Sequence, residues 1–156
     1  VILSRITDFS GDAYTERAIF TDIGRAALFS NLMGIGLGNF VIRMGEFSTM
    51  ILAPWLFQPI HNVFLLTLVE QGIVGGIALL GVFIASVRLC FNAMRRLLKM
   101  EKYQWKVWMA AVIAFLILGL FDHYLYTIWA GQVTFFLLLG MINFSWQERK
   151  AMDLDK

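Results

Sequence analysis

The sequence predicts an all-α, multi-pass membrane protein, and three observations predict it. Hydrophobic residues make up 59% of the chain and charged residues 15%, with a mean hydropathy of +0.71. A soluble domain carries about 45–50% apolar and about 25% charged residues. Apolar runs at about 63–87, 105–121 and 127–146 approach the roughly 20 residues that cross a bilayer as a helix. Lys and Arg gather between the first two runs, as they do in loops held in the cytoplasm.

Residues 1–60 form an outer-face segment, too polar to span and too apolar for a plain linker. Val1–Leu3 reads as the end of an earlier span, so the chain reads as a fragment with spans missing before it. Ser10-Gly11-Asp12 is a turn signal. From about 13 to 33, Ile19, Ile23, Ala26 and Ala27 recur at helical spacing, with Thr15 near the start and Gly34 as the stop. Arg17, Thr21 and Arg25 fall at i, i+4 and i+8 along one face. Such an amphipathic helix suits the outer membrane interface.

The GIGLGNF stretch, Gly34–Phe40, has G-x-G-x-G spacing and no strand–helix unit around it. It is therefore not a dinucleotide fingerprint but a close-packed turn that lets backbone approach something. Arg43–Phe57 reads as a mixed loop, limited by Pro54 and Pro59, with Trp55 and Phe57 suited to an interface.

The first span ends at Arg88, and the loop 88–104 holds Arg88, Arg95, Arg96, Lys99 and Lys102 against Glu101, with Lys106 just beyond. This places the loop in the cytoplasm, where it sets topology and touches anionic lipid rather than nucleic acid. The Asp122–Tyr126 connection lacks Lys and Arg and belongs outside; the tail returns the C-terminus to the cytoplasm. His61 and the segment before it then lie on the outer face. The single cysteine, Cys90, excludes an internal disulfide and fits no metal site.

Polar residues at the spans are the candidates for chemistry. His61 and Asn62 stand at the mouth of the first span, and Glu70 lies inside it. On an unbroken helix, nine residues at about 100° each put His61 and Glu70 on nearly opposite faces. A carboxylate at that depth is costly and should face the bundle interior, as structural polar glue or in binding. Gly72 and Gly76 form a GxxxG suited to close helix packing. Asp122 and His123 read as a surface turn, with a second polar site as the alternative.

An arginine in an outer helix, then GIGLGNF, then PIHNVFLLTLVEQGIVGG at a span, resembles the C-terminal part of the O-antigen ligase and O-antigen polymerase superfamily. The resemblance runs from about Arg17 to Gly76, and FDHYLYTIWAGQ, Phe121–Gln132, resembles the last hairpin of many members. Phe20 stands near the place where members often carry a tryptophan. The resemblance implies a GT-C-like helical bundle in a bacterial inner membrane. It implies transfer of a glycan from a polyprenyl-diphosphate carrier to lipid A core, another glycan chain or protein, without a metal or cofactor. It assigns catalysis to His61 and donor binding to Arg17.

Those residue types suit that chemistry. Arg offers a permanently charged planar fork to a diphosphate leaving group. His can accept the acceptor's hydroxyl proton, a step worth ~10²- to 10⁴-fold in rate. Arg25, Arg43, Asn62 and Glu70 are further candidates for substrate binding. Two other classes stand beside this one: a transporter or flippase component using Glu70 to carry an ion, and a non-catalytic structural membrane piece.

Overall fold

The computed structural model describes residues 2–96 and 102–154, with side chains for 15–95 and 103–147. Val1, Lys99, Glu101 and the last two residues of the tail lie outside the described residues. Every regular element described is helical: α1 (Ile2–Ser30), α2 (Phe40–Phe47), a 3₁₀ turn (Pro54–Leu56), α3 (Val63–Arg96), α4 (Lys102–Phe121), α5 (Tyr124–Thr127) and α6 (Trp129–Leu154). Contacts divide the chain into two compact units, Val1–Ile77 and Ala78–Lys156, so the first turns of α3 pack with the segment that precedes them.

In the first unit, α1 contributes Phe20, Ile23 and Ala27 to the core. These positions follow the i, i+3, i+7 spacing of one helix face. Against them lie Ile35, then Phe40 and Met44 of α2, then Ile60, Val63, Leu66 and Val69, all buried. Gly24 lets Ile60 close onto α1, since a methyl group there would overlap the Ile60 side chain. In the second unit, the rings of Phe83 and Phe115 lie 5.2 and 5.5 Å from Phe135, and Trp105 meets Trp146 edge-on at 6.3 Å.

Two described helices are long and apolar enough to cross a membrane, within Val63–Arg95 and Tyr103–Phe121. Their apolar side chains point largely outward: Val74, Ile77, Ile84, Ile117, Leu118 and Phe121 are all exposed. A core helix of a soluble protein buries such residues, so this exposure suits an apolar surrounding. The third expected span, 127–146, is helical from Trp129 but is not among these two helices. Gln132, Thr134, Asn143 and Ser145 dilute its apolar character.

Other boundaries depart from the sequence reading. α1 runs straight through Ser10-Gly11-Asp12, where a turn is expected. One glycine inside a helix costs about 1 kcal/mol relative to alanine, which a long helix absorbs. The same helix stops at Ser30, short of Gly34. There Ser30 Oγ donates to the Ala27 carbonyl, and Asn31 Oδ1 accepts the Met33 N–H. Polar side chains that bond locally to backbone compete with helix continuation. The basic residues Arg88, Arg95 and Arg96 belong to α3, and Lys102 and Lys106 to α4, rather than to a long loop.

Candidate functional site

The feature that organises the first unit is a break in α3. Gly72 takes φ 71° and ψ −172° inside an otherwise helical run. Left-handed backbone of this kind is open to glycine and costly for other residues. Into the break fits the glycine loop, where Gly34, Gly36 and Gly38 also have positive φ. A methyl group on Gly34 would come within 2.5 Å of the Glu70 carbonyl oxygen and the Gly72 nitrogen; one on Gly72 would meet the Met33 carbonyl carbon at 2.5 Å. The two stretches therefore touch backbone to backbone. The GxxxG reading is corrected at Gly72: this glycine ends one helical segment and admits a loop, rather than facing a neighbouring helix.

Hydrogen bonds seal the contact. The N–H groups of Ile35 and Gly36 donate to the carbonyls of Val69 and Glu70, both at 2.9 Å, and Ile73 N–H donates to the Leu32 carbonyl at 3.1 Å. The Glu70 side chain, 4% exposed, completes the set. Its Oε2 accepts from Gly38 N–H at 2.8 Å and its Oε1 from Phe40 N–H at 3.0 Å. Phe40 opens α2, so this carboxylate also caps that helix, where a negative charge suits the exposed N–H groups and the dipole. A loop rich in positive-φ glycines presents N–H groups as a cradle for an anion. Here the protein's own carboxylate fills that cradle.

His61 lies just before α3, its ring stacked on Phe20 of α1 at 6.0 Å between centroids and 20° between planes. Arg17 lies three residues before Phe20 and is exposed. Residues three apart share a helix face, about 4.5 Å apart along the axis. Arg17 is thus one turn of α1 away from the Phe20 ring that stacks on His61. Asn62 caps α3: its Oδ1 accepts the Leu65 N–H at 2.9 Å and its carbonyl accepts from Leu66 N–H.

The other two arginines are engaged locally. Arg25 reaches Asp22 at 3.3 Å, with both side chains exposed. Arg43 forks onto Glu46 through Nε and Nη2, the closest contact being 2.7 Å, and lies over the Phe47 ring. The hydrogen bond from Arg43, aided by its charge, holds the Glu46 carboxyl below the usual carboxylate range, and Glu46 in turn raises Arg43. A cavity of about 180 Å³ lies between α1 and the chain leaving α2, lined by Ile19, Asp22, Ile23, Phe47 and Met50 among others. Ligand pockets run to about 300–1,000 Å³, so this one is small for a glycan.

In the second unit, Asp122 and His123 form a turn. Asp122 Oδ1 accepts the His123 N–H at 2.7 Å, and His123 Nδ1 meets Thr127 Oγ1. Gln132 Nε2 donates to the Tyr126 carbonyl, tying α5 to α6.

Sequence reasoning missed Phe20 as the partner of His61. The signal available was its helical spacing with Ile23 and Ala27 on the buried face of α1. It also missed that Glu70 serves the glycine loop, because thirty residues separate donor from acceptor. No protein-family model, curated protein or solved structure matches this chain.

Proposed function

We propose that the protein is a membrane-embedded glycan transferase of the O-antigen ligase or polymerase kind. Its donor is a glycan on a polyprenyl diphosphate, and its acceptor a hydroxyl of lipid A core, another glycan chain or protein. The observation that supports the reading is the stacking of His61 on Phe20 of α1, one helical turn from Arg17. His61 accepts the proton of the acceptor hydroxyl as that oxygen attacks the anomeric carbon. The bond from that carbon to the diphosphate breaks, and the polyprenyl diphosphate departs with the bonding pair. Arg17 offsets the negative charge gathering on the leaving group. Arg43 is a second cation for the donor, once released from Glu46.

The apolar, outward-facing residues of α3 and α4 support membrane association; in this reading the protein is multi-pass and the membrane is the bacterial inner membrane. His61 sits on its outer side and the C-terminus in the cytoplasm. The transporter reading is weaker, because it needs Glu70 to exchange an ion. That carboxylate already accepts two backbone N–H groups.

The test is transfer by the full-length protein from a polyprenyl-diphosphate glycan to lipid A core or to a second lipid-linked glycan. Product on the first acceptor identifies a ligase, and product on the second a polymerase. Absence of transfer to either, with donor supplied in excess, rejects the reading.

A further inference from the structure

The cavity between α1 and the chain leaving α2 has a chemistry of its own. Ile19, Asp22, Ile23 and Ala26 line one side, at the i, i+3, i+4 and i+7 positions of a single helix face. Phe47, the last residue of α2, and Thr49 line the other. Ser48 Oγ accepts the Met50 N–H at 3.2 Å and donates to the Met50 carbonyl at 2.8 Å, so a tight turn holds Thr49 in place. The Thr49 hydroxyl itself makes no hydrogen bond among the described residues. Asp22 and Thr49 are exposed, so the cavity opens to the surface. It measures about 180 Å³. A cavity of about 150 Å³ takes up benzene, so this one admits the face of a single six-membered ring and not a chain.

The polar groups at its rim select among small ligands. Asp22 Oδ1 lies 3.3 Å from Arg25 Nη1, with both side chains exposed. An exposed pair of this kind is held weakly, so its atoms are open to sharing with a ligand. The carboxylate only accepts hydrogen bonds, the guanidinium only donates, and the Thr49 hydroxyl does both. A ligand ammonium would suit Asp22 but be repelled by Arg25. A phosphate would suit Arg25 but be repelled by Asp22. A neutral hydroxyl donates to the first and accepts from the second. Ile19, Ile23 and Phe47 add apolar surface beside these groups. A sugar ring carries both features, an apolar C–H face and neighbouring hydroxyls. From these observations we propose that the cavity is a subsite for one neutral sugar residue of the glycan substrate. The C–H face of the ring rests on Ile19, Ile23 and Phe47, two neighbouring hydroxyls meet Asp22 and Arg25, and a third meets Thr49. This rests on the glycan-transfer reading above, which supplies the substrate class, and it holds for a sugar of either the donor or the acceptor.

The experiment uses the full-length protein in lipid nanodiscs and saturation-transfer NMR, which reads binding without any transfer reaction. The probes are methyl glycosides of glucose, galactose, rhamnose and N-acetylglucosamine, with ethanolamine and inorganic phosphate as charged counterparts. At least one glycoside should receive saturation at its ring C–H protons. Ala26→Leu, which fills the cavity from α1, should abolish that signal. Asp22→Ala and Thr49→Val should each lower it several-fold; both replace exposed side chains, which guards against misfolding. Saturation of phosphate or ethanolamine in place of every glycoside assigns the cavity to a charged headgroup and overturns the proposal. So does the absence of any glycoside signal, or one that none of the three variants lowers. Initial rates of transfer then separate the two sources of the sugar. A several-fold rise in KM for the lipid-linked donor in Asp22→Ala places the sugar on the donor, and a rise for the acceptor places it there. Unchanged KM for both overturns the subsite and leaves the transfer reading standing. Cavity-dependent glycoside binding by a protein that transfers nothing rejects the transfer reading and upholds the sugar site.

Discussion

The carboxylate of Glu70 accepts the backbone N–H of Phe40 at 3.0 Å, joining the broken segment of α3 to the first residue of α2. Its other oxygen takes Gly38 N–H, so one side chain holds both the glycine loop and the helix that follows it. Glu70→Ala should leave both donors unpaired, at about 1–3 kcal/mol for each buried group. Glu70→Gln keeps one acceptor oxygen and turns an amide N–H toward the other donor, so it should destabilise less than alanine but measurably. Unfolding midpoints and protease cleavage within residues 31–40 report this. Wild-type protection in the alanine variant would remove Glu70 from its anchoring role.

The glycines should separate into two groups. Gly34→Ala and Gly72→Ala combine a left-handed backbone with a backbone clash, so each should prevent the loop from docking. Gly38→Ala meets open space and bears only the conformational cost, about 1–2 kcal/mol. Gly45→Ala, inside α2 with nothing near its Cβ position, should stabilise by up to about 1 kcal/mol. Thermal midpoints of the four variants should follow that order. Equal effects at Gly34 and Gly45 would contradict the backbone contact.

Much of this was legible in the sequence, and the rest was hidden for physical reasons. Helical spacing at Ile19 and Ile23 and the apolar runs of α3 and α4 foretold helices, because burial patterns repeat every 3.6 residues. G-x-G-x-G foretold a close backbone approach, but not that its target was a break at Gly72. Nothing in LVEQGIVGG distinguishes a glycine that packs a helix from one that ends it, since both roles need a missing side chain. Glu70 was readable as a buried carboxylate needing partners. Its partners are backbone N–H groups, which leave no mark on composition. His61 and Arg17 were named together from the resemblance; that the Phe20 ring stacks on His61 was not foreseen.

Arg43 offers a test of its own pairing. A carboxyl lowered by its partner contributes fully above the ordinary carboxylate range and loses that contribution as pH falls through the lowered value. At neutral pH Glu46 is therefore ionised and able to pair with Arg43. If Arg43 binds the donor diphosphate, Glu46→Gln should free the guanidinium and tighten donor binding several-fold, while Arg43→Ala should weaken it. Unchanged donor affinity in both variants would confine Arg43 to the surface of α2.

Topology is open to labelling from either side of the membrane. With Cys90→Ala as background, a cysteine at Leu125 should react with an impermeant thiol reagent added outside, and one at Asp155 should react only after permeabilisation. The opposite pattern would invert the placement of His61 and remove it from the outer-face acceptor.

His61 is the residue on which the proposed chemistry turns. Its ring rests on Phe20, and the adjoining Asn62 side chain holds the start of α3, so the imidazole has a fixed seat. His61→Ala should abolish transfer while leaving the protein inserted, because the core around it is built from Phe20, Ile60, Val63 and Leu66. His61→Gln retains hydrogen bonding but cannot take up a proton at neutral pH. A basic role predicts that the glutamine variant fails as fully as alanine. A role in orienting the acceptor predicts that it keeps part of the rate. If His61 is the base, wild-type transfer should decline as the solution is made acidic, and any residual activity of the glutamine variant should not follow pH. Phe20→Leu should lower transfer by letting the ring wander, with donor affinity unchanged. The measurement is initial rate at saturating donor across pH, with matched protein in vesicles. Near-wild-type transfer by the alanine variant would show that His61 takes no part in the chemistry and would shift the search to the remaining polar groups along α1.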